Sequence, residues 1–291
     1  MRNVGFIGLG NMGSKMSQNL VKAGFCVTGF DISISDNKKK ELIHNNILIA
    51  DDVQQAVKKQ NFVITMLPDG SALENVLLPN LKYADKNTYF IDCSTVDLKT
   101  TKNIYDILAK NDLNFLDAPV SGGVVGAINS TLTFMVGGKE EVFNSCSSLF
   151  KAMGNKSILC GGNGAGQSIK MCNNMILAIT MFGVGSSISI AKKLNIDLKK
   201  FYDVTSTSSA SSWAINNYFP VKQIGPHSPS DNGFESGFST NLMIKDLSLA
   251  ISAAEQLGIK IDIGKDILNL YKKISNEGNG NLDFSYIVES L

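Results

Sequence analysis

The chain has 291 residues, 44% hydrophobic and 18% charged, so it is long enough to form two hydrophobic cores. Its net charge of +1 excludes the broad positive field that draws proteins onto nucleic acid or anionic lipid, so the expected partner is a small molecule. Five cysteines and two histidines, with no Cys-x-x-Cys pair and no Gly-x-Ser-x-Gly motif, argue against a disulfide framework, a bound metal and a histidine-based hydrolase.

In the first part of the chain, short β-branched runs alternate with amphipathic polar stretches. From residue 3 to about residue 160 this pattern predicts a parallel sheet flanked by helices. The predicted strands are bounded by Gly, Pro, Asn or Asp and span 3–8, 26–31, 46–49, 62–67, 89–94, 115–120, 132–136 and 157–160. The apolar run at 4–9 is too short for a membrane span and lacks the flanks of a signal peptide, so we expect a cytoplasmic protein without a membrane partner.

A glycine motif follows the first predicted strand. Gly8, Gly10 and Gly13 form Gly-x-Gly-x-x-Gly, with Asn11 and Met12 between them, and an amphipathic segment comes next. The first glycine allows a tight turn, the second lets backbone amides approach a pyrophosphate, and the third lets helix and strand pack closely. This context predicts that all five residues bind a dinucleotide. The alternative is a plain glycine-rich turn.

Asp31 ends the second predicted strand and indicates which dinucleotide is bound. A carboxylate at this place accepts hydrogen bonds from a ribose diol and repels a 2′-phosphate, and no arginine follows it. The cofactor is therefore predicted to be NAD rather than NADP. The alternative interpretation of Asp31 is a solvated residue in a turn.

Beyond residue 166 the pattern becomes helical. Residues 169–194 form a long apolar segment with helical periodicity, which we interpret as a helix shared by two domains. The segment at 217–237 is rich in Pro, Ser, Asn and Gly and is either a functional loop or disordered. Further helices, without a convincing strand, are predicted at 198–205, 241–257, 263–275 and 284–291.

The predicted fold class is an α/β Rossmann-type doubly wound sheet followed by an all-α C-terminal domain. The NAD-binding domain spans 1–163, the interdomain helix 164–194 and the helical domain 195–291. Ligands of such sheets lie beyond the carboxyl ends of the strands. Leu67-Pro68 and Ser94-Thr95 occupy two such ends, where the residues alone do not separate a turn from a ligand contact.

Two further blocks carry candidate chemistry. The small-residue loop Ser121-Gly122-Gly123 follows another strand, and its amides can face a substrate carboxylate, although by itself it is only a loop. Lys170 and Asn174 are four residues apart in the long helix and so share one face. A lysine there is ordinarily a solvated flank residue. Desolvation by its apolar neighbours Ile169, Met171 and Ile176 would lower its pKa and let it accept a proton from an alcohol.

The blocks at 6–13, 117–123 and 164–174 together resemble the β-hydroxyacid dehydrogenase family in their order and approximate spacing, over essentially the whole chain. The stretch at 237–250 is similar to the family's 3-hydroxyisobutyrate dehydrogenase branch. The resemblance implies NAD-dependent oxidation of a small β-hydroxy acid, 3-hydroxyisobutyrate to methylmalonate semialdehyde, as in valine degradation. It also implies a homodimer or homotetramer.

The resemblance assigns roles to individual residues. Lys170 would be the general acid/base and Asn174 its helper and a substrate contact, while Ser121, Gly122 and Gly123 would hold the substrate carboxylate. The implied cofactor contacts are Leu67, Pro68, Thr95 and Lys245. Two positions depart from the pattern: Ala72 stands near where relatives have a polar cofactor contact, and Cys93 replaces a usual serine.

Two alternative functions stay open. One is a reductase of tartronate or succinic semialdehyde, which would share the lysine and the carboxylate loop. The other is a catalytically silent NAD-binding sensor or scaffold, against which the presence of both Lys170 and Asn174 argues.

Overall fold

The computed structural model describes residues 2–291, which fold as two compact units divided between Lys170 and Met171. The first unit contains all the strands, and the second is helical. The strands are β1 (Asn3–Ile7), β2 (Cys26–Phe30), β3 (Leu48–Ile49), β4 (Phe62–Thr65), β5 (Tyr89–Asp92), β6 (Asn114–Asp117), β7 (Val120–Ser121), β8 (Leu132–Gly137) and β9 (Gly154–Gly161). The helices of the first unit are α1 (Gly13–Lys22), α2 (Asp36–His44), α3 (Val53–Val57), α4 (Gly70–Leu77), α5 (Leu98–Lys110), α6 (Gly123–Ile128) and α7 (Glu140–Met153), with a 3₁₀ helix at Leu78–Tyr83.

The strands form one sheet in the order β3-β2-β1-β4-β5-β6-β8-β7, and β9 pairs with β8. The six strands β3, β2, β1, β4, β5 and β6, which are neighbours in this order, are all parallel. Strand β8 runs antiparallel to β6 and β7. The single strand predicted at 115–120 is two strands in the structure. It breaks at Pro119, which has no backbone N–H to donate to a ladder.

Apolar cores cover both faces of the sheet, because successive side chains of a strand point to opposite faces. Val4 and Phe6 of β1 lie in one core with Leu20 of α1. Ile7 of the same strand lies in the other core with Val57 of α3. This double burial explains why the strands read as nearly continuous apolar runs, and it confirms the predicted doubly wound α/β class.

The second unit is built from helices. α8 (Ala165–Lys193) begins in the first unit and continues in the second. It is followed by α9 (Leu198–Thr205), α10 (Trp213–Tyr218), α11 (Thr240–Gln256) and α12 (Asp262–Ile274), with 3₁₀ helices at Pro229–Asn232 and Phe284–Ser290 and a π-helical turn at Ser275–Asn279. The helices predicted at 198–205, 241–257 and 263–275 are thus present within a residue of their expected bounds. The short α10 was not predicted, and 284–291 is a 3₁₀ helix rather than an α-helix.

Within residues 2–291, α8 is the helix whose length and composition would suffice to cross a membrane. Its apolar composition also has a packing explanation. Ala178, Met181, Val184 and Ile188 are buried in the core of the second unit, so these side chains are used by the helical core itself.

The segment at 217–237 follows a defined path held by two carboxylates. Asp283 Oδ2 accepts hydrogen bonds from the Tyr218 hydroxyl at 2.9 Å and from the Gly237 amide at 3.1 Å. Asp231 accepts one from the amide of Gln223 at 2.6 Å. The segment is therefore an ordered loop, because these two carboxylates hold the side chain of Tyr218 and the backbone at Gln223 and Gly237.

Candidate functional site

The candidate cofactor residues of the first unit lie at the carboxyl ends of its parallel strands. Across the sheet, the loops after β2, β1, β4 and β5 carry Asp31, the glycine motif, Leu67-Pro68 and Thr95. β2 and β3 lie on one side of β1, whereas β4, β5 and β6 lie on the other, so the winding direction switches between β1 and β4. In doubly wound sheets the ligand crevice lies at this switch point.

The three motif glycines have separate structural reasons. Gly8 has a φ of +96°, which favours glycine. A methyl group on Gly13 would overlap the carbonyl oxygen of Gly8, so helix α1 could not start so close to the strand. A methyl group on Gly10 would meet nothing within 4 Å. Gly8 and Gly13 are thus required by the fold, while Gly10 borders open space, as expected of a loop that leaves room for a pyrophosphate.

Asp31 is held against this loop. Its Oδ2 accepts a hydrogen bond from the Leu9 amide at 2.7 Å, and its Oδ1 accepts one from the Ser33 amide at 2.9 Å. The carboxylate thus takes part both in the turn with Ser33 and in the hydrogen bonds of the glycine motif. These residues together fit a bound dinucleotide.

Two buried carboxylates end the neighbouring strands β5 and β6, where they are register partners. Burial raises the pKa of Asp92 to about 6, against the opposing effect of hydrogen bonds from Ser94 and Thr65. Burial likewise raises the pKa of Asp117 to about 6, although backbone amides at the start of α8 oppose the shift. Asp92 Oδ2 has no hydrogen-bond partner among residues 2–291.

Asp117 fixes the first turn of α8. Its Oδ1 accepts a hydrogen bond from the Gly164 amide at 2.7 Å, and its Oδ2 accepts one from the Gln167 amide at 2.9 Å. These amides are among the unpaired donors of a helix N-terminus, and the positive end of the helix dipole favours a carboxylate there. Asp117 thereby anchors the helix that carries Lys170, one turn further on.

Lys170 is buried, with 7% of its surface exposed. The neighbours expected to desolvate it contribute little, because Ile169 and Ile176 are exposed and only Met171 is buried. The expectation that these three neighbours desolvate Lys170 was therefore wrong for two of them. Residues adjacent in a helix point in different directions, so the burial of Lys170 arises from the tertiary fold.

The loop proposed for the substrate carboxylate follows β7. Gly122 has a φ of +128° and Gly123 a φ of +61°, so the turn into α6 requires glycine at the first position and favours it at the second. Asn19 of α1 donates a hydrogen bond to the carbonyl of Ala127 in α6 at 2.6 Å. The helix after the carboxylate loop is thus tied to the helix after the glycine motif.

The remaining candidates lie in the second unit. Asn174 Nδ2 donates a hydrogen bond to Asp246 Oδ2, and Asp246 Oδ1 lies 3.2 Å from Lys245 Nζ. Asp246 is buried, so Lys245-Asp246 is not the ordinary surface pair that its sequence suggests. The structure brings Asn174 and Lys245 together around one carboxylate.

Three residues of these networks were not identified as site residues from the sequence: Asp117, Gln167 and Asp246. All three are polar side chains in segments with buried faces. The available signal was a polar residue at the end of an apolar strand for Asp117, and on a helix face with apolar neighbours for Gln167 and Asp246, which by itself does not identify a partner. Among residues 2–291, no group of three or more His, Cys, Asp or Glu side chains is arranged to hold a metal ion.

Comparison with known proteins matches both parts of the chain to family models. Residues 3–162 match the NAD binding domain of 6-phosphogluconate dehydrogenase. Residues 164–291 match the model described as NAD-binding of NADP-dependent 3-hydroxyisobutyrate dehydrogenase. Fold and site together define an NAD(P)-binding protein of the dehydrogenase class.

Full-length relatives narrow the class. The mitochondrial 3-hydroxyisobutyrate dehydrogenase of Drosophila melanogaster is 37% identical, over 100% of this chain and 89% of that protein. The solved structure of Mycobacterium tuberculosis 3-hydroxyisobutyrate dehydrogenase with L-serine is 36% identical with a TM-score of 0.92, over 100% of this chain and 99% of that one. The chain belongs to the β-hydroxyacid dehydrogenase family, as a relative of 3-hydroxyisobutyrate dehydrogenases.

The two kinds of glycine in the motif give a matched pair of variants. Gly10→Ala should leave the thermal midpoint near that of the wild type and raise the Kd for NADH about tenfold or more, because the added methyl projects into the open space beside the loop. Gly13→Ala should lower the unfolding free energy by about 1–3 kcal/mol through overpacking. Thermal unfolding and NADH fluorescence titration measure both effects, and unchanged NADH affinity in Gly10→Ala would contradict the assignment.

The raised pKa of Asp92 predicts a pH-dependent stability. A folded pKa of about 6 against the ordinary 3.8 means that the folded state binds more protons between these values, so this carboxyl's contribution to stability is lost as the pH rises through about 6. Asp92→Asn should therefore gain thermal midpoint relative to the wild type as the pH increases from about 4 to about 7.

The exposed carboxylate Asp106 on α5 supplies the control for this experiment. Asp106→Asn should show no such trend. A difference between Asp92→Asn and the wild type that stays constant across the pH range would refute the assignment.

Proposed function

We propose that the protein oxidises 3-hydroxyisobutyrate to methylmalonate semialdehyde with NAD, using Lys170 as general acid/base. The observation that carries the proposal is the burial of Lys170 next to the helix turn anchored by Asp117. Burial desolvates the side chain and so favours the neutral amine, which is the form of lysine that can accept a proton.

The chemistry follows from what these residues can do. When bound, the nicotinamide supplies the acceptor for the hydride that leaves the alcohol carbon. Lys170 Nζ, in its neutral form, accepts the proton of the substrate hydroxyl, and in the reverse direction its ammonium returns that proton to the carbonyl oxygen. Ser121, Gly122 and Gly123 hold the substrate carboxylate through their amides and the serine hydroxyl. Asn174, oriented by Asp246, hydrogen-bonds the substrate.

The substrate class is supported by the named relatives. The D. melanogaster relative bears the name 3-hydroxyisobutyrate dehydrogenase, and an M. tuberculosis relative is named as a probable one. The M. tuberculosis structure is described with L-serine, which is itself a β-hydroxy acid. A kinetic panel of 3-hydroxyisobutyrate, L-serine, and tartronate and succinic semialdehydes tests this part of the proposal.

In the cofactor site, the glycine motif from Gly8 to Gly13 holds the pyrophosphate, Asp31 accepts the ribose hydroxyls, and Leu67, Pro68, Thr95 and Lys245 complete the contacts. NAD is preferred, because Asp31 places negative charge where NADP carries its 2′-phosphate. We also propose that the enzyme is cytoplasmic and acts in valine degradation.

The proposed assembly is a homodimer or homotetramer, which light scattering at micromolar concentration distinguishes from a monomer. The apolar residues at 244–257 and 263–270 add little support for an interface between subunits, because Leu247, Ile251, Ile267 and Leu268 are buried within the second unit. The support therefore comes from the family resemblance.

Removing the proposed base gives the central test. Lys170→Ala should lower kcat for alcohol oxidation at least about 100-fold, the smaller end of general acid-base contributions, while NADH affinity is largely kept. Lys170→Arg should not rescue the rate, because a guanidinium stays protonated. The wild-type oxidation rate should rise with pH as the lysine deprotonates, and Lys170→Ala should lose that limb. Retention of more than about a tenth of kcat in Lys170→Ala would refute the role.

The cofactor preference is tested at Asp31. The wild type should show a higher kcat/KM with NAD than with NADP, and Asp31→Arg should narrow or reverse this ratio by removing a repulsion and adding a phosphate partner. Asp31→Asn is the matched control, since it removes the charge but keeps an acceptor for the Leu9 amide. Equal or better kcat/KM with NADP in the wild type would overturn the preference.

A further inference from the structure

Gln167 has no part in the proposed chemistry, yet its surface is 0% exposed. Its Nε2 donates a hydrogen bond to the carbonyl of Ser94 at 2.8 Å, and its Oε1 accepts one from the Val96 amide at 3.2 Å. A carbonyl oxygen only accepts and an amide N–H only donates, so these partners fix the orientation of the carboxamide. Gln167 therefore bridges two parts of the chain more than 70 positions apart.

The two backbone groups bound by Gln167 flank Thr95. The carboxamide takes the place of a neighbouring strand's peptide group, with one acceptor and one donor facing the chain just beyond the end of β5. Ser94 extends the connection, because its hydroxyl accepts a hydrogen bond from the Leu67 amide at 2.8 Å. The loops after β4 and β5 are thus joined to one side chain of α8.

The other end of Gln167 is equally fixed. Its backbone amide donates to Asp117 Oδ2, which anchors the first turn of α8 to the end of β6. Lys170 follows three residues later, a spacing that places both side chains on the same face of the helix. A shift of Gln167 would therefore move the loop containing Thr95 and the turn carrying Lys170 relative to one another.

We propose that Gln167 is a positioning residue, which holds the cofactor loop around Thr95 and the helical turn of Lys170 at a fixed separation. This inference rests on the proposed function, in which Thr95 contacts the cofactor and Lys170 moves the proton. Gln167 acts through these two residues and through the loop of Leu67, without contacting the reacting atoms.

The test compares Gln167→Met, which keeps the length of the side chain and loses both hydrogen bonds, with Thr88→Val. Thr88 is also buried, donates one hydrogen bond to the carbonyl of Gln60 at 2.9 Å, and lies just before β5, at the opposite end of the strand. Gln167→Met should raise the Kd for NADH and the KM for NAD about tenfold. It should also lower kcat about 10- to 100-fold, because a misplacement of about 1 Å can cost about 100-fold in rate.

Thr88→Val, like Gln167→Met, should lower the thermal midpoint through the loss of a buried hydrogen bond. Its NADH affinity and kcat should nevertheless stay near those of the wild type. Gln167→Glu is the second variant: it keeps the acceptor for Val96 and replaces the donor to Ser94 by an acceptor oxygen. It should change NADH affinity and kcat in the same direction. The proposal is overturned if Gln167→Met binds NADH as the wild type does, or if its kinetic losses are matched by Thr88→Val.

Lys170→Ala, measured in parallel, separates the two ideas. Near-normal turnover in Lys170→Ala would refute the proposed function, whereas the NADH titrations of Gln167→Met and Thr88→Val would still decide whether Gln167 holds the cofactor loop. Loss of turnover in Lys170→Ala with unchanged NADH affinity and kcat in Gln167→Met would refute the positioning role alone.

Discussion

The buried carboxylate of Asp117 holds the first turn of α8 against the sheet, and the arrangement proposed for catalysis depends on this contact. Helix N-termini are usually capped by the residue that precedes them. Here the cap comes from the end of β6, 47 residues from Gly164. The starting point of the helix is therefore set by the sheet rather than by the chain entering it. Burial opposes ionisation of this carboxylate, whereas its hydrogen bonds from the amides of α8 favour ionisation. Asp117 can therefore hold the helix as a carboxylate only while these amides face it.

The sequence predicted the elements that depend on local patterns, but not the side-chain pairs that join distant parts of the chain. The strand-glycine-helix unit from β1 to α1 and the positions of β2, β4 and β5 followed from periodicity and turn chemistry, which act over a few residues. The contacts of Gln167 with the loop after β5, and of Asn174 with Asp246, join residues more than 70 positions apart. No local pattern specifies such partners. For the same reason the burial of Lys170 could be expected but was attributed to the wrong neighbours.

The glycine motif combines two kinds of constraint in one short sequence. Gly8 and Gly13 are needed for the chain to turn and for α1 to approach β1, whether or not a ligand is present. Gly10 is surrounded by open space and is needed only if something else fills it. A motif of this kind therefore indicates binding most securely where a residue has no structural reason of its own. Asp31 is a weaker indicator of binding than Gly10, because it also has a structural role: it accepts a hydrogen bond from the Leu9 amide.

The anchoring of 217–237 by Asp283 and Asp231 affects how the second unit responds to proteolysis. A protease must draw an extended stretch of chain into its cleft, and exposed loop tips are the usual point of entry. Here the segment's end at Gly237 is bonded to a buried carboxylate, and Gln223 is bonded to Asp231. Despite its many small and polar residues, we expect these hydrogen bonds to slow the cleavage of this segment, so that its digestion rate reports the local opening of the helical unit.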